Sequence, residues 1–244
     1  MPSVNVGSVT SGVPVSAPVR VRDRLRRAPD GPVTVVHSGP DAVYLAVGDG
    51  CVGVTGRHAV AVPCALHTRL DRLDVTAARI DGGVLHLDDV PLEVRRLADT
   101  RVPALPAGAT TGDRPDAVTD IPAPITADTV PVLVGRGDGL TPLGDDVLCG
   151  WLAVHRAARV PTPEVDAAVR ACLHRTTLLS AELLRCALDG EVMPPFAAFV
   201  AALGTPAAAT AAAALTAVGH TSGAGMLHGA RLALPALRSE GVAA

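Results

Sequence analysis

The chain has 244 residues, 48% apolar and 18% charged, with a formal net charge of -3. All 21 basic residues are arginine; lysine and glutamine do not occur, and asparagine appears once, as Asn5. That excludes a Schiff-base lysine, a pyridoxal-phosphate anchor and a P-loop. The slight acidity and 2% aromatic content argue against a nucleic-acid surface, which needs basic charge and stacking platforms.

Residues 1–30 read as a loose Ser/Val/Pro-rich tail that ends in a basic run, Arg20 to Arg27 (RVRDRLRR), taken as a solvated helix face. No charged segment followed by an apolar one opens the chain, so a secretory signal is not expected. The five cysteines have no CxxC spacing and read as small buried side chains in a reducing cytoplasm. Residues 31–98 then carry short β-branched runs, among them VTVVHS, AVYLAVG, CVGVTG and VLHL. Gly39-Pro40, Gly48-Asp49-Gly50 and Asp81-Gly82-Gly83 punctuate them, the pattern of antiparallel hairpins in a barrel or sandwich.

Residues 99–131 hold prolines 103, 106, 115, 122, 124 and 131 and read as a linker or surface loop. From 132 to 241 the pattern is helical, about six segments with short connections, as in a helical bundle. The uncharged stretch Met193 to Gly219 is broken by Gly204-Thr205-Pro206 and reads as two short buried helices, not a membrane span. Its Ala-rich part, 207–218, is expected at the centre of the bundle because small side chains admit close neighbours. The fold class expected is α+β, an N-terminal antiparallel β-rich barrel or sandwich followed by a C-terminal helical bundle.

The most unusual segment is GRGDGLTPLGDD, Gly135 to Asp146. Its glycines 135, 137, 139 and 144 permit positive φ and expose backbone N–H groups, the makings of an anion-binding nest beside a helix N-terminus. Thr141 adds a hydroxyl and Arg136 a cation. Asp145 and Asp146 suit either N-caps or oxygen ligands for Mg²⁺. An ordinary turn with two capping aspartates is the competing reading. A second cluster, His220, Thr221, Ser222 and Gly223, opens a later helix, with Ser222 as its N-cap on the simplest view. A third, Thr176, Thr177 and Ser180, places three hydroxyls within one helical turn. The other histidines (37, 58, 67, 86, 155, 174, 228) show no zinc spacing.

In this order the three segments, GRGDGLTPLGDD, TTLLS and GHTSGAGMLHG, resemble a small bacterial family long catalogued as a domain of unknown function. One branch of it is the third subunit of the oxamate carbamoyltransferase of allantoin degradation. The resemblance spans residues 133–238 and departs at Gly225, where the family carries an acidic residue. It implies a subunit of a cytoplasmic multi-subunit transferase of purine catabolism. That enzyme moves a carbamoyl group between oxalurate and phosphate, giving oxamate and carbamoyl phosphate. Under it, Asp145, Asp146 and His220 are the catalytic candidates, and the two aspartates would hold Mg²⁺ or hydrogen-bond the carbamoyl NH₂. Gly135, Gly137, Gly139, Thr141, Gly144, Thr177, Ser180, Thr221, Ser222 and Gly223 would bind the anionic substrate. The alternatives are a non-catalytic small-anion-binding or regulatory subunit, and a divergent member with another carboxylate substrate. Partner subunits are expected; nucleic acid and membrane are not.

Overall fold

The computed structural model describes residues 12–106, 108–109 and 121–239. Two compact units divide the chain. One runs to Ala59 and resumes over Ala65–Ala98; the other takes Val60–Cys64 and everything from Asp99. As the sequence implies, the first is β-rich and the second helical.

The first unit contains β1 (Val13–Pro18), α1 (Val19–Arg27), β2 (Gly31–Ser38), β3 (Ala42–Val47), β4 (Gly50–Thr55), β5 (Ala65–His67), β6 (Ala78–Asp81), β7 (Val84–Leu87) and β8 (Val90–Ala98). These strands close into a barrel in the order β1-β5-β4-β3-β2-β6-β7-β8. The expected hairpins β3–β4 and β6–β7 are present, turning at Gly48 (φ 62°) and at Gly82 and Gly83 (φ 56° and 77°). Two pairings differ from an all-antiparallel sheet: β1 runs parallel to β8, and β4 parallel to β5. Closure leaves no sheet edge unpaired, which settles barrel over sandwich.

The structured barrel also begins well before residue 31. β1 supplies Val15 and Ala17 to its core, and α1 supplies Val21 and Leu25, four residues apart on one face. The segment looked like a tail because Ser, Pro and Arg dilute its apolar periodicity. Its arginines occupy the remaining faces; Arg22 pairs with Asp23 at 2.7 Å. Residues 1–11 of the expected tail lie outside the described residues.

The second unit contains α2 (Val130–Leu133), α3 (Leu143–Ala157), α4 (Pro163–Cys172), a 3₁₀ turn (Leu173–Arg175), α5 (Leu178–Leu188), α6 (Pro194–Ala202), α7 (Ala208–Thr216) and α8 (Ser222–Ser239). The described parts of 99–131 pack onto it: Val102 N–H donates to Gly190 O at 2.8 Å and Leu105 N–H to Ala157 O at 2.9 Å, while Ala109 and Ile125 enter its core. Among the described residues no helix is long and apolar enough to cross a membrane.

α3, not the Ala-rich helix, is central. From Gly144 to Ala157 only Arg156 escapes burial, whereas α7 buries Leu215 alone. Alanine offers little apolar area to drive an element inward. The close approach comes instead from glycines on α3 and α8. A Cβ at Gly150 would overlap the carbonyl oxygen of Met226, and one at Gly229 would overlap that of Val147. Backbone meets backbone there, and neither side can yield as a flexible side chain could.

Gly150→Ala and Gly229→Ala are each expected to destabilise the chain by about 1–3 kcal/mol, the usual cost of overpacking. Ala209→Ser, on exposed α7, should stay within about 0.5 kcal/mol. Urea melts of the three variants test this; equal stabilities would contradict the close α3–α8 contact.

Candidate functional site

Pro142 (φ -53°) launches α3 at Leu143, ahead of the two aspartates expected to precede the helix. Asp145 and Asp146 therefore sit in the first turn and are not N-caps. Both are buried, at 0% and 4% exposure. Two adjacent buried carboxyls need a specific environment, because an unpaired charge in a protein interior is costly.

Asp145 obtains that environment from all sides. Its Oδ1 accepts the Gly135 N–H at 2.9 Å, and its Oδ2 accepts the hydroxyls of Ser180, at 2.7 Å, and Thr176. Thr177 N-caps α5 by accepting the Ser180 N–H at 3.0 Å, and its own hydroxyl donates to Leu140 O at 2.5 Å. The glycine loop and the start of α5 are thus tied to one carboxylate. On the other side, the hydroxyls of Thr141 and Ser222 lie 2.8 Å apart, which ties the loop to the start of α8. The three sequence motifs meet around the first turn of α3.

The loop spends several of its N–H groups within the chain. Gly135, Gly137 and Gly139 do adopt positive φ (77°, 112° and 88°). Yet the Gly135 N–H is spent on Asp145, that of Arg136 donates to Leu133 O and that of Gly144 to Arg136 O, both at 2.9 Å. Gly144 belongs to α3, where a Cβ would overlap the Leu133 carbonyl oxygen; its role is close packing. Arg136, His220 and Thr221 are exposed. Gly223 packs against the carbonyl of Leu215 in the same manner as Gly144. At Gly225, where the resemblance implies an acidic residue, a Cβ would stand 2.9 Å from Asp146 Cβ and 3.0 Å from Leu143 Cδ1. A carboxylate side chain there would need α3 and α8 further apart.

Asp146 is the reactive-looking member of the pair. Burial pushes its carboxyl up to about 8; the Ser222 hydroxyl opposes that shift, the Asp145 carboxylate adds to it, and the Thr141 hydroxyl opposes it. Its Oδ2 is buried without a hydrogen-bond partner. Near neutrality it is a largely uncharged acid with one oxygen unused. Burial also pushes the thiol of Cys149, one turn further along α3, well up, so it is no thiolate nucleophile.

The pair suits Mg²⁺ poorly. Three donors already point at the oxygens of Asp145, and a cation would face their hydrogens. Among the described residues no group of three or more His, Cys, Asp or Glu is gathered. His155, read from sequence as a surface or satisfied core residue, is buried. Its Nδ1 lies 2.9 Å from Trp151 O, and the two rings stack at 3.7 Å. That pair lines a separate cleft of about 660 Å³ with Pro124, Arg231 and Pro235. Its sequence signal is the lone Trp of the chain, four residues from a His on one helical face.

Residues 133–234 match the family model described as oxamate carbamoyltransferase subunit AllH. The match supports the family that the three motifs resemble. It begins at Leu133, whose carbonyl packs against Gly144, and ends at Leu234 in α8, so it encloses the whole hydrogen-bonded cluster around Asp145 and Asp146. No curated protein and no solved structure matches the chain.

Replacing Asp145 by Ala strands two hydroxyls and a backbone N–H, an expected loss on the order of 3 kcal/mol with faster amide exchange at Gly135. Asp146→Asn should behave oppositely. Unfolded, Asp146 ionises near its ordinary 3.8 and folded near 8, so folding binds a proton between those values. The unmodified chain then loses stability as pH rises through that window, by at most about 1.4 kcal/mol per pH unit. The stability advantage of Asp146→Asn should grow across the same window and level off above it. A constant difference would contradict the buried neutral acid.

Proposed function

We propose that this chain is a subunit of an oxamate carbamoyltransferase, and that the cluster at the start of α3 holds the carbamoyl-bearing substrate. The observation that carries this is a coincidence. The segment matching the AllH family is also the segment whose three motifs converge on one buried acidic pair.

The reaction transfers a carbamoyl group from the internal nitrogen of oxalurate, the one that joins it to the oxalyl carbonyl, to phosphate. The bond between that nitrogen and the carbamoyl carbon breaks, a carbon–oxygen bond to phosphate forms, and the released oxamate nitrogen takes up a proton. A neutral Asp146 carboxyl suits the proton-handling side of this exchange, since a group ionising near the working pH gives and regains a proton with little penalty. Thr141 and Ser222 supply hydroxyls that orient it. Asp145 positions the loop and takes no part in bond making.

Phosphate is a different matter. The Gly135, Arg136 and Gly144 N–H groups are occupied within the chain, so the glycine loop is not its cradle on this reading. Phosphate is left to partner subunits, in keeping with the word "subunit" in the description of the matched family. The reading of a purely anion-binding regulatory subunit is disfavoured for the same reason.

The test is to reconstitute the chain with the other subunits of an oxamate carbamoyltransferase and measure carbamoyl phosphate formed from oxalurate and phosphate. Asp146→Ala should lower kcat by at least about a hundredfold, the scale of losing a proton-transfer group. Full turnover by that variant, or none by the unmodified complex, would overturn the proposal.

A further inference from the structure

The arginines of α1 take no part in the proposed reaction and lie outside the segment that matches the family. Val21 and Leu25 of that helix enter the barrel core, while Arg22 and Arg26, four residues apart, share another face. This face forms one wall of a cleft of about 480 Å³, with Arg95 and Arg96 of β8 on a second wall and the buried Leu25 and Leu92 beneath. The turn at Gly82 and Gly83 closes on the helix backbone, where a Cβ at Gly83 would stand 3.0 Å from Arg26 Cα. Adjacent residues of a strand ordinarily point to opposite faces. Here Val94 pairs with Val15 and Arg96 with the next residue, Ser16, so Arg95 is an extra residue in β8. Such a bulge re-aims side chains, and both arginines line the same cleft.

We infer that this cleft is a binding site for a small ligand with adjacent phosphoryl groups, of the diphosphate class. Four guanidiniums line it against one carboxylate, Glu93, in a chain whose net charge is -3. Arg22 is held by Asp23 and Arg95 by Glu93. Among the described residues Arg26 and Arg96 form no ion pair and no side-chain hydrogen bond. They stand on different walls, one on the helix and one on the strand, so like charges converge on the space between. An anion placed there relieves their repulsion. A guanidinium fork takes two phosphate oxygens at once, and a ligand with two phosphoryl groups offers one to each wall. The volume falls within the roughly 300–1,000 Å³ of small-molecule sites, and no aromatic side chain lines the cleft as a stacking platform for nucleic acid.

Diphosphate and inorganic phosphate test this by titration calorimetry on the full chain, at about 0.15 M salt, where distant exposed charges are screened. Diphosphate should bind tighter than inorganic phosphate by about tenfold or more, the effect of one further charge-assisted contact. Arg26→Gln and Arg96→Gln should each weaken diphosphate by about the same factor. Arg72→Gln, which removes an exposed arginine of the same unit outside the cleft, should change it by less than about twofold. Equal affinity for the two anions overturns the inference, as does the absence of diphosphate binding. So does an equal loss in all three variants, which marks net charge and not a site. An oligoglutamate peptide that binds as tightly as diphosphate makes the cleft a docking surface for an acidic chain and overturns it too. The comparison of anions on the unmodified chain stands whether or not a variant folds. Carbamoyl transfer is tested separately, because no residue of the cleft lies in the segment matching the family.

Discussion

The carboxylate of Asp145 holds together parts of the chain that are far apart in sequence. It takes hydrogen bonds from the Gly135 N–H and from hydroxyls on Thr176 and Ser180, 10, 31 and 35 residues away. A fully buried acidic side chain is tolerated only when its lone pairs are filled, and here the filling groups come from the loop before α3 and the residues opening α5. The position of the loop, the start of α5 and the burial of Asp146 all follow from that arrangement. The glycines make it possible by allowing positive φ at Gly135 and contact without side chains at Gly144.

Asp146 inherits the consequences. Its neighbour takes the donors of the glycine loop and of the residues opening α5, its own Oδ2 is left bare, and burial holds its proton to an unusually high pH. One sequence dipeptide thus yields two residues of different character, one structural and one chemically available. The separation arises from hydrogen-bond supply, since both side chains lie in the same helical turn and both are buried.

Much of this was legible in the sequence, for physical reasons. Turn glycines at 48, 82 and 83 mark hairpins because few other residues accept their φ, and strand alternation fixed the β-rich class. The clustering of Gly, Thr, Asp and Ser at three helix starts identified the segments that meet. What the sequence hid is direction. Nothing in GRGDGLTPLGDD says that the Gly135 N–H turns to Asp145 while those of Arg136 and Gly144 turn to backbone carbonyls, and a nest and such a loop share the same composition. Likewise, Gly150 and Gly229 do for α3 and α8 what the alanines of 207–218 were expected to do elsewhere. Contacts of backbone on backbone leave only single glycines as a trace, and β1 and α1 were obscured by the polar residues on their outer faces.

The account turns on Asp146 being a buried acid that keeps its proton near neutrality. The most direct measurement is a carboxyl carbon NMR titration of the full chain, with the Asp146 resonance assigned by its disappearance in Asp146→Asn. The account predicts a midpoint of about 8. A midpoint at the ordinary 3.8 would mean an ionised, well-solvated side chain and would contradict it.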